Sequence, residues 1–137
     1  MVAAMNGRGC VVSGAGSYVS QQGSIYAPGI SAETVGSKTV FLGIVTIPPG
    51  GRTSAHIHEF HESAFYVLSG EVVELYTGSR LECVDTARPG DYLYIPENVP
   101  HVAVNRGKSP AVFIGVRNEA TAQESVVLMP ELDALVP

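Results

Sequence analysis

The stretch that decides the reading is Gly50-Gly51-Arg52-Thr53-Ser54-Ala55-His56-Ile57-His58-Glu59-Phe60-His61-Glu62. Three of the four histidines crowd into it, Glu62 follows at once, and the fourth histidine, His101, comes later, after Pro100. In an extended strand, side chains two residues apart share a face, so His56 and His58 aim at one point. Two imidazoles placed this way make poor core filler, because each buried ring has nitrogens that need partners. A metal ion takes the lone pair of one nitrogen, and the other N–H goes to a nearby acceptor. The pair, the carboxylate and His101 therefore predict a metal-binding cluster.

Outward from this stretch, turn signals recur at short intervals. Among them are Pro28-Gly29, Pro48-Pro49-Gly50-Gly51, Ser69-Gly70, Pro89-Gly90 and Pro96-Glu97-Asn98, where Gly and Pro free or fix φ as the backbone reverses. Between them lie short runs rich in β-formers: Thr39–Ile47, Ala64–Leu68, Val72–Tyr76, Tyr92–Ile95, Val102–Val104 and Ala111–Val116. Their spacing predicts an all-β sandwich or barrel. Thr39–Ile47 is apolar on both faces, with Val40, Leu42 and Ile44 on one and Phe41, Val45 and Ile47 on the other. It therefore needs a cover, either the chain's own N-terminal arm or a second subunit. The only helical signal is a turn or two at Pro130–Leu135, with Pro in the first turn and acidic residues beside it. Residues 1–17 are Gly-rich and weakly patterned and read as a loosely held arm, leaving 18–137 as one barrel domain.

Composition narrows the function. At 137 residues, 45% apolar and 15% charged, the chain is long enough for one buried core and too apolar for disorder. A net charge of −5 and the lack of a basic stripe argue against a nucleic-acid partner. No run is long and apolar enough to span a membrane, and no signal-peptide pattern is visible. Cys10 and Cys83 form no CxxC pair and read as reduced thiols of a cytoplasmic protein.

Two patterns carry a family resemblance. Gly50-x5-His56-x-His58-x3-Glu62, running on to Gly70, looks like the first cupin motif. Gly90-x5-Pro96-x4-His101-x3-Asn105 resembles the second. With Tyr66-Val67-Leu68-Ser69-Gly70 and Gln123-Glu124-Ser125-Val126-Val127-Leu128, the chain is similar to small single-domain, RmlC-like bacterial cupins. The resemblance implies a double-stranded β-helix, a small jelly-roll barrel, in which His56, His58, Glu62 and His101 hold a divalent metal. Iron or manganese comes first and nickel or zinc next, since imidazole and carboxylate together tolerate all four. Small cupins commonly pair, which adds a homodimer to the expectations.

The sequence departs from that pattern twice. Asn98 stands where the second motif has Gly; Asn is the non-glycine residue best suited to φ > 0, so the turn should survive. The spacer between Glu62 and Gly70 is one residue longer than usual. Counting back from Gly70 puts Ser63 at the ligand position, and strand parity then sends Glu62 to the opposite face. A one-residue bulge near Ser63 would return Glu62 to the interior. Three readings stay open: Glu62 as ligand through a bulge, a three-histidine site completed by water, or ligation by His61.

Around the metal, Tyr66, Tyr92 and Tyr94 could hydrogen-bond an oxygenated substrate from a barrel mouth, or pack outside the sheet. Arg52 and Arg117 could grip a carboxylate or phosphate, or lie on the surface. The functional expectation is a metal-dependent enzyme of oxygenase, isomerase or lyase type on a small oxygenated metabolite, with dioxygenase chemistry first. The alternative is a non-catalytic small-molecule or sugar-binding barrel with a structural metal. A metal-free sugar epimerase using His as a base ranks third.

Overall fold

The computed structural model describes residues 8–13 and 16–137. Its strands are β1 (Tyr18–Val19), β2 (Ile25–Ile30), β3 (Phe41–Ile47), β4 (His56–His58), β5 (Ser63–Ser69), β6 (Val73–Thr77), β7 (Cys83–Ala87), β8 (Tyr92–Ile95), β9 (His101–Asn105), β10 (Ala111–Arg117) and β11 (Val126–Leu128). Two short helices, α1 (Ala32–Val35) and α2 (Pro130–Asp133), complete the set. One sheet runs β1-β2-β3-β10-β5-β8 and the other β11-β4-β9-β6-β7, and every pairing is antiparallel. This is the all-β architecture expected from the turn spacing, arranged as the jelly roll that the cupin resemblance implies.

The main core lies between the sheets. Period-2 alternation sends Phe41, Val45 and Ile47 of β3, Val67 of β5, Leu93 and Ile95 of β8 and Phe113 of β10 inward. A second core covers the outside of the smaller sheet, where Leu132 and Val136 pack with Ala55, Tyr76, Val102 and Val104. The C-terminal turn foreseen at Pro130–Leu135 is therefore α2, with Pro at its start and Leu132 buried.

Several elements differ from the sequence reading. Pro28-Gly29 does not reverse the chain. It lies inside β2, where the register to β3 shifts between Pro28 and Ile30, so the missing proline N–H falls at an irregularity. β7 carries no apolar alternation because four of its five residues are exposed. Of the arm predicted over 1–17, residues 1–7, 14 and 15 lie outside the described residues, and 8–13 form neither helix nor strand. Among the described residues nothing covers the outer face of β3, where Leu42 is 40% and Ile44 37% exposed.

Two asparagines fix the loops that frame the histidines. Asn98 takes φ 61°, as its place in the motif requires, and its N–H donates to the His58 carbonyl at 2.8 Å. Asn105 is fully buried. Its Nδ2 donates to the carbonyls of Ile47 at 3.0 Å and Ser109 at 2.9 Å, and its Oδ1 accepts from Gly107 N at 3.0 Å.

Candidate metal centre

His56 on β4 lies directly across from His101 on β9, and His58 follows on the same face. Their ring centroids are 4.1 Å (His56–His101), 4.8 Å (His56–His58) and 5.0 Å (His58–His101) apart. One ring nitrogen of each lies within 4.8 Å of the others. The His56 Nδ1–H donates to Ser54 O at 2.6 Å, and the His101 Nδ1–H donates to Val99 O at 3.0 Å. A proton held on Nδ1 leaves the Nε2 lone pair free to bind a metal.

Burial keeps these rings neutral. It pushes the His101 imidazole down to about 3, and pushes His56 and His58 below the usual histidine range as well. Three neutral imidazoles, two of them oriented by hydrogen bonds, are a donor set that suits a divalent ion, so the residues present fit one.

The group opens on a barrel cavity of about 50 Å³ lined by Val45, Ile47, Phe65, Leu75, Leu93 and Phe113, among others. The polar part of its wall is Gln22, Ser24, Thr53 and the Tyr26 hydroxyl besides the histidines, and it holds no Lys, Arg, Asp or Glu.

Glu62 does not join the histidines. It is exposed, and its Oε1 accepts a hydrogen bond from the Tyr94 hydroxyl at 2.6 Å on the outside of the barrel. Ser63 takes the inward position at the start of β5. A bulge does exist on β5, but at its far end: Val67 and Ser69 pair with Phe113 and Val112, leaving Leu68 as the extra residue. From Val67 back to Ser63 the alternation is unbroken, so Ser63 faces in and Glu62 points out.

The three tyrosines are also outside. β8 alternates with Leu93 and Ile95 inward, which leaves Tyr92 80% and Tyr94 58% exposed. Tyr66 packs against Tyr92 with centroids 5.1 Å apart and the rings tilted by 56°. Arg52 is occupied elsewhere: its guanidinium donates to Val136 O at 2.9 Å and Asp133 O at 3.2 Å, pinning the C-terminal segment. Arg117 is buried, with its guanidinium 3.6 Å from the centre of the Phe41 ring and bonds to the carbonyls of Thr121 at 2.6 Å and Glu119 at 3.2 Å.

The sequence reading passed over Glu124 and Gln22. The Glu124 carboxylate is buried, 3.2 Å from Arg117 and 3.6 Å from His58 Nδ1. Gln22 Nε2 donates to its other oxygen at 2.8 Å. Glu124 arrives because β11 pairs with β4, Val126 opposite His58. Short and partly exposed, β11 carries no pattern that announces this.

Comparison with known proteins places these features in a family. Over 54 residues, 39% of this chain and 15% of the other, the chain is 35% identical to quercetin 2,3-dioxygenase of Bacillus subtilis. Over 82 residues it is 26% identical to the tetracenomycin polyketide synthase protein TcmJ of Streptomyces glaucescens, covering 60% of this chain and 52% of that one. It thus spans about half or less of each relative's length. The solved polyketide cyclase RemF of Streptomyces resistomycificus superposes with a TM-score of 0.69 at 21% identity, covering 88% of this chain and 92% of that one; at that identity the likeness speaks to the fold. The family model described as "Cupin domain" matches residues 43–117, which contain both motifs and all three convergent histidines, and the chain belongs to the cupin family.

Proposed function

We propose that the chain is a metal-dependent cupin enzyme, oxygenase in type, acting on a small, uncharged, oxygenated molecule with an apolar body. The observation that carries this is the convergence of His56, His58 and His101 on one end of an apolar cavity. A bound divalent ion would supply Lewis-acid activation of a substrate oxygen, or a site for O2 beside it.

The chain's own residues do the rest. Ser54 and Val99 hold the His56 and His101 rings in one tautomer. The aliphatic and aromatic wall excludes water and offers a substrate's carboxylate or phosphate no counter-charge. Hydroxylated aromatics of the kind named for the quercetin dioxygenase and polyketide relatives suit such a wall better than a dicarboxylate or a sugar. The outer apolar face of β3 and the neighbouring strands supports a homodimer, and exposed free thiols at Cys10 and Cys83 suit the reducing cytoplasm.

The test is anaerobic loading with Fe(II), Mn(II), Ni(II) or Zn(II), followed by O2-uptake assays on flavonols, enediols, hydroxylated aromatics and oxalate. Uptake with the uncharged aromatics, abolished by His101→Ala, is the expected result. A fully loaded protein that is silent across the panel would leave the binding-barrel reading in its place.

A further inference from the structure

A second group of donors lies beside the first and shares only His58 with it. His61 is 1% exposed. Its Nδ1–H donates to Glu119 Oε1 at 3.1 Å, which leaves the lone pair on Nε2. That Nε2 has no hydrogen-bond partner, and neither does His58 Nδ1. Both face one oxygen, Glu124 Oε2, at 3.7 Å and 3.6 Å respectively. The distances are too long for hydrogen bonds. They lie at or just beyond the separation of neighbouring ligand atoms around a tetrahedral zinc, about 3.3–3.6 Å from its bond lengths, and all three ligand atoms lie within 4.8 Å of one another.

We propose that His58 Nδ1, His61 Nε2 and Glu124 Oε2 form a second divalent-cation site, of the Zn(II) type, with water completing the coordination. Two orphaned nitrogens in the interior are costly unless something binds them, and a cation satisfies both at once. The outer partners of a metal site are in place: Glu119 on the far nitrogen of His61, and Arg117 and Gln22 on Glu124. Charge agrees as well: the carboxylates of Glu119 and Glu124 border the group, and Arg117 is ion-paired with one of them, Glu124. His58 belongs to both groups. A neutral imidazole carries one lone pair, so it serves one ion at a time, through Nδ1 here or through Nε2 with His56 and His101. The chain therefore offers a single ion two alternative seats.

The experiment uses metal-free full-length protein with Zn(II) or Co(II) alone as the probe. Ions per chain are read by elemental mass spectrometry after dialysis, and the Co(II) seat by its visible absorption. Wild type, His101→Ala and His61→Phe are expected to bind about one ion each, with distinct Co(II) spectra for the two variants. The double variant His61→Phe/His101→Ala is expected to lose binding by at least 100-fold. His56→Gln strips the first group from its other side and guards against a poorly folded His101→Ala, with circular dichroism as the folding check. Loss of the ion from both folded His101→Ala and His56→Gln would overturn the second site while leaving the three-histidine site standing. Retention of the ion in the double variant would overturn the second site, because the ion would then sit on other donors. Loss from His61→Phe alone, with the ion kept by His101→Ala, would support the second site and count against the three-histidine one.

Discussion

At the scale of single residues, Glu62 and Asn98 behave oppositely although both sit in family motifs. Glu62 faces solvent against Tyr94. Glu62→Ala should leave the ions bound per chain unchanged and alter stability by no more than about 0.5 kcal/mol, checked by elemental analysis and urea unfolding. Asn98 does require its backbone conformation. Asn98→Ala should cost about 1–2 kcal/mol for placing an ordinary side chain at positive φ, while Asn98→Gly should stay close to wild type. The histidine pair was legible because period-2 spacing is purely local. Glu62 was ambiguous because one extra residue in a spacer flips every face before it, and only the unbroken alternation from Val67 back to Ser63 decides which way. Glu124 was illegible: its role depends on β11 lying beside β4, a pairing between segments remote in sequence.

At the scale of elements, the core strands were readable and the edges were not. β3, β5, β8 and β10 carry β-branched and aromatic residues in alternation. β7 is polar along most of its length, and the Pro28-Gly29 pair disguised β2. The C-terminal element does more than its length suggests. Asp133 Oδ1 accepts the Ala55 N–H at 2.7 Å, and Met129 N donates to the Ala55 carbonyl at 2.8 Å, so the residue beside His56 is held on both sides. Asp133→Ala leaves a buried backbone N–H unpaired and removes the ion pair with Arg52. It should lower stability by about 1–3 kcal/mol and weaken metal affinity along with it. Unfolding curves and a Zn(II) titration on the same preparation check both.

At the scale of the molecule, the outer face of the larger sheet joins Leu42 and Ile44 of β3 to Val116 of β10, Leu68 of β5 and Tyr92 of β8, all exposed. A continuous apolar surface of this kind is uncommon on a monomer. Light scattering should give twice the chain mass for wild type and the single mass for Leu42→Glu/Ile44→Glu. Acid should weaken the metal-free protein. His101 stays neutral down to about 3 when folded, against 6.5 when free, so below 6.5 the unfolded chain binds more protons. Stability therefore falls as pH drops from 6.5 toward 3, which melting temperatures across that range will show. The clasp on Ala55 also has a temporal side. Ala55 and Asp133 are 78 residues apart, and synthesis adds only about 5–20 residues per second. For several seconds the nascent chain carries His56 and His58 on a strand whose outer support does not yet exist. The ion should therefore be captured after residues 124–133 have left the ribosome, and a translation-arrested chain ending before them should acquire none.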